Sequence, residues 1–106
     1  MTYQMLAQQL KIISDVNRLE IINMLSCGEL CACDLLEHFQ ISQPTLSHHM
    51  KILVESNIVN VRKEGNKRMY QLNYQVLDEL KETLEHLTTP ASTCACHSIK
   101  MGDCER

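Results

Sequence analysis

The stretch that decides the fold is SQPTLSHHMK, at residues 42–51. Ser42 is a residue type that caps helix N-termini, and Pro44 suits the first turn of a helix. We predict that a helix, the fourth of the chain, runs from here to about Glu55. Its apolar side chains recur at helical spacing and should pack inward. They are Leu46, Met50, Leu53 and Val54.

The opposite face of this fourth helix carries hydroxyl, amide and basic side chains. Such groups hydrogen-bond to base edges and phosphates in the grooves of DNA. On a core helix the same face would only be solvated, so the neighbouring segments must decide between the two interpretations. We predict DNA contacts from Ser42, Gln43, Thr45, Ser47, His48 and Lys51.

Three shorter helices precede the fourth. Apolar residues recur at helical spacing over residues 3–13 and 18–25, and Gly28 ends the second segment. We predict a third, short helix over residues 29–39, which have the sequence ELCACDLLEHF. Only Gln40–Ser42 separate this helix from the fourth. A tight connection of this kind is typical of a helix-turn-helix.

The residues after the fourth helix predict a β-hairpin. Residues 58–62 and 68–72 have the composition of strands, and the intervening residues 63–67 form a loop that contains Gly65. A hairpin in this position is the wing of a winged helix-turn-helix. We expect it to contact the DNA backbone through Arg62, Lys63, Lys67 and Arg68.

The distribution of charge favours this interpretation. The chain has a net charge of −3, yet residues 43–70 hold five basic and two acidic side chains. A basic segment on an acidic body is the electrostatic footprint of a DNA-binding surface. A winged helix used only for contacts with another protein would not need the basic wing.

The last predicted helix spans residues 74–87 and ends before Pro90. Its leucines repeat at helical spacing, and a domain of 106 residues has a marginal core, so this stripe predicts a contact with a second copy. The expected fold is mainly α with a small β-hairpin, a homodimeric winged helix-turn-helix over residues 1–90. Residues 91–106 are expected to be a flexible, cysteine-containing tail.

The cellular setting is expected to be the cytoplasm, with no membrane partner. No apolar run approaches the ~20 residues of a membrane span, and the N-terminus has no secretory signal. In a reducing compartment, cysteine clusters are more often metal ligands or reactive groups than structural bridges. The chain has 6 cysteines, with two Cys-Ala-Cys motifs at residues 31–33 and 94–96.

Two motifs in this order resemble the ArsR/SmtB family of metalloregulatory repressors. They are ELCACDL at residues 29–35 and SQPTLSHHMK at residues 42–51, and the resemblance covers roughly residues 5–87 with the wing. It implies a homodimer that binds a roughly palindromic operator in double-stranded DNA, with the first and last helices at the dimer interface. The chain is most similar to the arsenical-resistance members, which implies a repressor released from DNA by arsenite or antimonite.

The candidate inducer site is the pair Cys31 and Cys33. Thiolates are soft ligands that suit As(III) or Sb(III), whereas zinc takes four ligands and often includes histidine. We expect this inducer and no catalytic cofactor. Relatives place a third cysteine where this chain has Leu36. The third ligand could instead come from Cys27, Cys94 or Cys96, and the role of Cys104 stays open.

The spacing of the pair also predicts a switch. On an intact helix, residues i and i+2 point about 200° apart. We therefore hypothesise that binding one metalloid to Cys31 and Cys33 unwinds the start of the third helix and displaces the fourth. The same geometry disfavours a disulfide between these two cysteines.

Two alternatives were weighed. The same DNA-binding repressor could sense cadmium, lead, zinc or thiol oxidation, although Asp78 lacks the histidine two residues on that zinc sensors of the family carry. An enzyme is disfavoured because the chain has no Cys-x-x-Cys redox spacing, no phosphate-binding glycine loop and no βαβ pattern.

Overall fold

The computed structural model describes residues 1–90. In this part of the chain, five helices surround a small three-stranded sheet. The order of elements is that of a winged helix-turn-helix, as predicted. The elements are α1 (Tyr3–Ile13), α2 (Val16–Leu25), β1 (Leu30–Cys31), α3 (Ala32–His38), α4 (Gln43–Glu55), β2 (Val59–Glu64), β3 (Lys67–Leu72) and α5 (Tyr74–Thr88).

Polar side chains fix the starts of the helices. The Asp15 carboxylate accepts a hydrogen bond from the amide of Arg18 at 3.1 Å, so α2 begins two residues earlier than predicted. The Ser42 hydroxyl accepts from the amide of Thr45 at 3.3 Å, and Pro44 lies in the first turn of α4. These caps satisfy amides that have no partner inside the helix.

The sheet has the strand order β1-β3-β2, and both pairs are antiparallel. The predicted five-residue wing loop is wrong, because β2 and β3 pair up to Glu64 and Lys67. The turn is therefore only Gly65 and Asn66. Gly65 has φ of 62°, a conformation in which glycine avoids the steric cost of a Cβ atom.

The prediction of a helix over residues 29–39 is wrong at its start. Leu30 and Cys31 form a strand opposite Tyr70 and Met69 of β3, and α3 begins only at Ala32. Pairing with β3 gives these backbone groups partners in the sheet, which a helical turn here would forgo. The segment before α3 is consequently part of the same sheet as the wing.

The core lies between the helix-turn-helix and the sheet. Its fully buried side chains include Ile21, Leu35 and Leu53, and α3 and α4 turn their apolar faces toward it. No helix within residues 1–90 is long and apolar enough to cross a membrane.

The leucine stripe of α5 is only half covered. Leu77 and Leu80 are buried, whereas Leu84 is 37% exposed and Leu87 is 49% exposed. On α1, which contacts α5, Tyr3 is 75% exposed. The two helices together thus present apolar side chains to solvent.

Candidate DNA interface and thiol site

All ten side chains predicted to contact DNA are exposed. The structure brings α4 and the wing together, because Gln43 and Ser47 line one cleft with Lys67 and Arg68. A second cleft alongside is lined by Ser47, Lys51 and Arg68. The hydroxyls of Ser42 and Thr45 lie 2.9 Å apart at the start of α4, and His48 and Lys63 lie on the same two elements.

Arg62 differs from the other basic residues of the wing. Its Nε donates a hydrogen bond to the Glu29 carboxylate at 2.8 Å, and its Nη2 donates to Glu64 at 3.0 Å. The hydrogen bond from Arg62 lowers the pKa of Glu29, and the same contact raises the pKa of Arg62. The ion pair ties β2 to the loop before β1 and offsets the charge of Arg62.

Three basic side chains of the wing remain uncompensated. Among the described residues, Lys63, Lys67 and Arg68 have no carboxylate within 4.0 Å. Free cations at the tip of a hairpin can contact phosphates without first giving up an ion pair. The uncompensated positive charge of the wing therefore lies on these three side chains, while Arg62 is held in ion pairs with Glu29 and Glu64.

The two candidate thiol ligands occupy different backbone conformations. Cys31 is the N-cap of α3 and is extended, with φ of −85° and ψ of 165°, whereas Cys33 lies inside the helix. Their Cα atoms are 5.3 Å apart and their sulfur atoms are bonded to each other. Cys31 is only 4% exposed, while Cys33 is open to solvent.

This geometry corrects two predictions. Because Cys31 lies outside the helix, the 200° divergence expected for Cys31 and Cys33 does not apply, and α3 need not unwind for the sulfurs to meet. For the same reason, the prediction that this spacing disfavours a disulfide is wrong. The two sulfurs can reach one common atom while the helix stays intact.

Asp34 holds Cys31 in place and was not singled out from the sequence. Its amide lies 3.4 Å from the Cys31 sulfur, which accepts the hydrogen bond, and its carboxylate accepts from the Cys31 amide at 3.1 Å. This reciprocal pair is a capping box in which cysteine takes the usual place of serine. The acidic residue three positions after the cap was the signal available in the sequence.

Of the proposed third ligands, Cys27 lies within residues 1–90, and it is not part of the cluster around the thiol pair. One possible ligand atom from each of Cys31, Cys33 and Asp34 lies within 4.8 Å of the others. Cys27 is exposed in the turn after α2 and is not a member of that group. The predictions for Cys94, Cys96 and Cys104 fall outside the described residues.

The thiol pair and the candidate DNA contacts share one cleft of about 470 Å³. The cleft is lined by Cys31 and Cys33, by Gln43 and Ser47 of α4, and by residues 66–68 of the wing. A ligand bound to the sulfurs in this cleft would therefore lie close to α4 and the wing. No signal within a single segment of the sequence indicates this convergence of three elements.

A partly buried hydrogen bond connects α2 to α4. Arg18 of α2 donates from Nε to Nδ1 of His49 at 3.1 Å and from Nη1 to the carbonyl of Ile12 at 2.9 Å. His49 is 8% exposed and packs in the interior, whereas the preceding residue, His48, is exposed. Arg18 thus links α1, α2 and α4.

Replacing Arg18 with methionine should weaken DNA binding without changing its salt dependence. The change leaves His49 and the Ile12 carbonyl without their donor, which costs about 1–3 kcal/mol of stability, but it removes no phosphate contact. Lys11→Met is the matched control, since Lys11 is an exposed cation of α1. Urea unfolding and salt-dependent anisotropy on operator DNA check both parts. Equal stability of the two variants would contradict the role of Arg18.

Known proteins are similar to this chain over nearly its whole length. Residues 15–61 match the family model described as "Bacterial regulatory protein, arsR family". The chain is 58% identical over 104 residues to proteins named "Arsenical resistance operon repressor" from Staphylococcus aureus and from Staphylococcus xylosus, covering 98% of this chain and 100% of each relative. The solved structure of an ArsR-like transcriptional regulator from Rhodococcus sp. RHA1 is similar with a TM-score of 0.72 and 26% identity, covering 80% of each chain.

Proposed function

Because the chain belongs to the ArsR family of bacterial regulatory proteins, we propose that it represses an arsenic-resistance operon in the cytoplasm. In this proposal a homodimer binds operator DNA and leaves it when trivalent arsenic or antimony binds Cys31 and Cys33. The observation that carries the proposal is the cleft shared by the thiol pair, α4 and the wing. No step of turnover is involved, since the family consists of regulators and not of enzymes.

The DNA-binding part of the proposal rests on exposure and charge. In this account α4 lies in the major groove, where Gln43, Thr45, Ser47 and His48 meet base edges and phosphates. Lys63, Lys67 and Arg68 contact the flanking backbone, because they are exposed cations without a carboxylate partner in the described part of the chain. Ser42, Lys51 and Arg62 complete the proposed surface.

The inducer part rests on the chemistry of the donor pair. Both donors are sulfur, which favours soft acceptors, and the bond between them in this structure supports the proposal that they can bind one atom together. In the reduced pair each thiol replaces one hydroxide of arsenite and releases water. The third position is left to a small ligand or to a cysteine of residues 91–106.

Coupling between the two parts follows two routes through the chain. In the reduced pair the two sulfurs are not bonded to each other, so a metalloid held by both fixes Cys31 and Cys33 at the separation that its two bonds require. Cys31 is paired with Met69 on β3, beside Arg68, so a shift of Cys31 reaches the wing. Cys33 lies in α3, which leads directly into α4. Either displacement moves DNA-contacting side chains from the positions that fit the groove.

The dimer in this proposal forms through α1 and α5. Both helices expose apolar side chains, including Tyr3, Met5, Leu84 and Leu87. Two copies joined by these helices would present two α4 helices to successive half-sites, which a palindromic operator requires. Residues 1–90 would form this DNA-binding and dimerisation domain, and residues 91–106 a tail.

The test is a titration of the reduced protein, bound to fluorescent promoter DNA, with arsenite. We expect anisotropy to fall to the value of free DNA, and antimonite to act likewise. Lead, cadmium and zinc serve as comparisons at equal concentration. If the complex does not respond to arsenite but dissociates with one of these cations, the proposed inducer is wrong and that cation takes its place. The proposed DNA-binding function would be unaffected by that result.

A further inference from the structure

We propose that the Cys31–Cys33 bond is a regulatory oxidation product. The repressor that carries this bond stays on DNA and does not respond to its inducer. The inference rests on the proposed function of the same site. It adds an oxidant of the peroxide class as a second signal, whose effect is opposite to that of the metalloid.

The bond between Cys31 and Cys33 is present together with an intact local fold. The Cα atoms of Cys31 and Cys33 lie 5.3 Å apart, inside the range of ordinary disulfides. In the bonded state α3 still begins at Ala32, and the capping box between Cys31 and Asp34 is complete. The pairing of Cys31 with Met69 on β3 is also kept.

The bonded state keeps the whole proposed DNA-binding surface. With the sulfurs bonded, Ser42 caps α4, the wing strands pair along their full length, and all ten predicted DNA contacts are exposed. The disulfide thus accompanies the arrangement proposed for the DNA-bound repressor. It adds no atom between the sulfurs.

The two cysteines of the pair differ in their exposure to solvent. Cys33 is exposed and Cys31 is 4% exposed, so Cys33 is the thiol that meets an oxidant and Cys31 is the resolving thiol. The Cys33 thiol gives up its proton, and the thiolate attacks the peroxide O–O bond to form a sulfenic acid, while the hydroxide that leaves takes up that proton and becomes water. The Cys31 thiol then attacks that sulfur and expels a second water, so two thiols are oxidised and one peroxide is reduced.

The consequence for induction is chemical. Capture of arsenite requires each thiol to give up its proton and replace a hydroxide, and a disulfide has neither the protons nor the free thiolates. The oxidised repressor therefore cannot take up the metalloid at this pair. A thiol reductant returns both sulfurs to the reactive form.

The experiment uses the full-length wild type, which keeps any third ligand in residues 91–106, and a full-length variant in which Cys27, Cys94, Cys96 and Cys104 are serine, so that only the pair can react. The complex of each protein with labelled promoter DNA is titrated with arsenite in three states. These are reduced, treated with hydrogen peroxide, and treated with peroxide then re-reduced with a phosphine that is removed before arsenite is added. Intact mass of the serine variant confirms the loss of two hydrogens on oxidation.

We expect the peroxide-treated complex to keep its full anisotropy at arsenite concentrations that completely release the reduced complex, and re-reduction to restore release. A peroxide-treated complex that dissociates without arsenite, or that responds to arsenite as the reduced one does, would overturn the inference. The reduced arm separates the two proposals, because failure to respond there contradicts induction through this thiol pair alone.

Discussion

Replacing Cys33 with serine is expected to give a repressor that binds operator DNA normally but stays bound at arsenite concentrations that release the wild type completely. Serine keeps the size and polarity of the exposed side chain but removes one of two soft ligands. Cys31→Ser should behave alike, because serine is a good N-cap and preserves the hydrogen bond from the Asp34 amide. Anisotropy titrations of the reduced proteins measure both effects.

The matched control for these variants is Cys27→Ser. Cys27 is exposed in the turn after α2 and stands apart from the cluster of Cys31, Cys33 and Asp34. We expect this variant to be released at the same arsenite concentration as the wild type. If Cys27→Ser loses induction as completely as Cys33→Ser, the assignment of the site to the 31–33 pair is incomplete.

The second large effect is expected from Lys67→Gln combined with Arg68→Gln. Each lost phosphate contact should reduce the slope of log K against log salt by about 0.9, so the double variant should lose about twice that. Its affinity should fall most at low salt. The control is Lys11→Gln with Lys81→Gln, which removes the same charge from α1 and α5. A double wing variant with an unchanged slope would exclude the wing from the DNA contact.

The role of Arg62 in the candidate site could not be predicted from the sequence. Its charge and its place in the wing made it equivalent to Lys67 and Arg68 in the sequence. In the structure its guanidinium is bound by Glu29, which is 33 residues away, and by Glu64. A contact between residues so distant in sequence leaves no local pattern that predicts it.

The helix-turn-helix itself could be predicted because its signals are local. The Ser42 cap, Pro44 in the first turn and the spacing of Leu46, Met50 and Leu53 all lie within a dozen residues. Strand β1 could not, because its two residues are held by Tyr70 and Met69 from beyond α4. The position of this boundary determines the geometry of the thiol pair, because the sulfur of an extended Cys31 reaches that of Cys33 and the sulfur of a helical Cys31 would not.

The central claim is that one trivalent metalloid is held by the sulfurs of Cys31 and Cys33. Arsenic-edge X-ray absorption of the arsenite-loaded, reduced, full-length protein tests it most directly, because it counts the sulfur neighbours of arsenic. We predict at least two sulfur neighbours in the wild type and in Cys27→Ser, and one fewer in Cys33→Ser. An unchanged sulfur count in Cys33→Ser would contradict the claim.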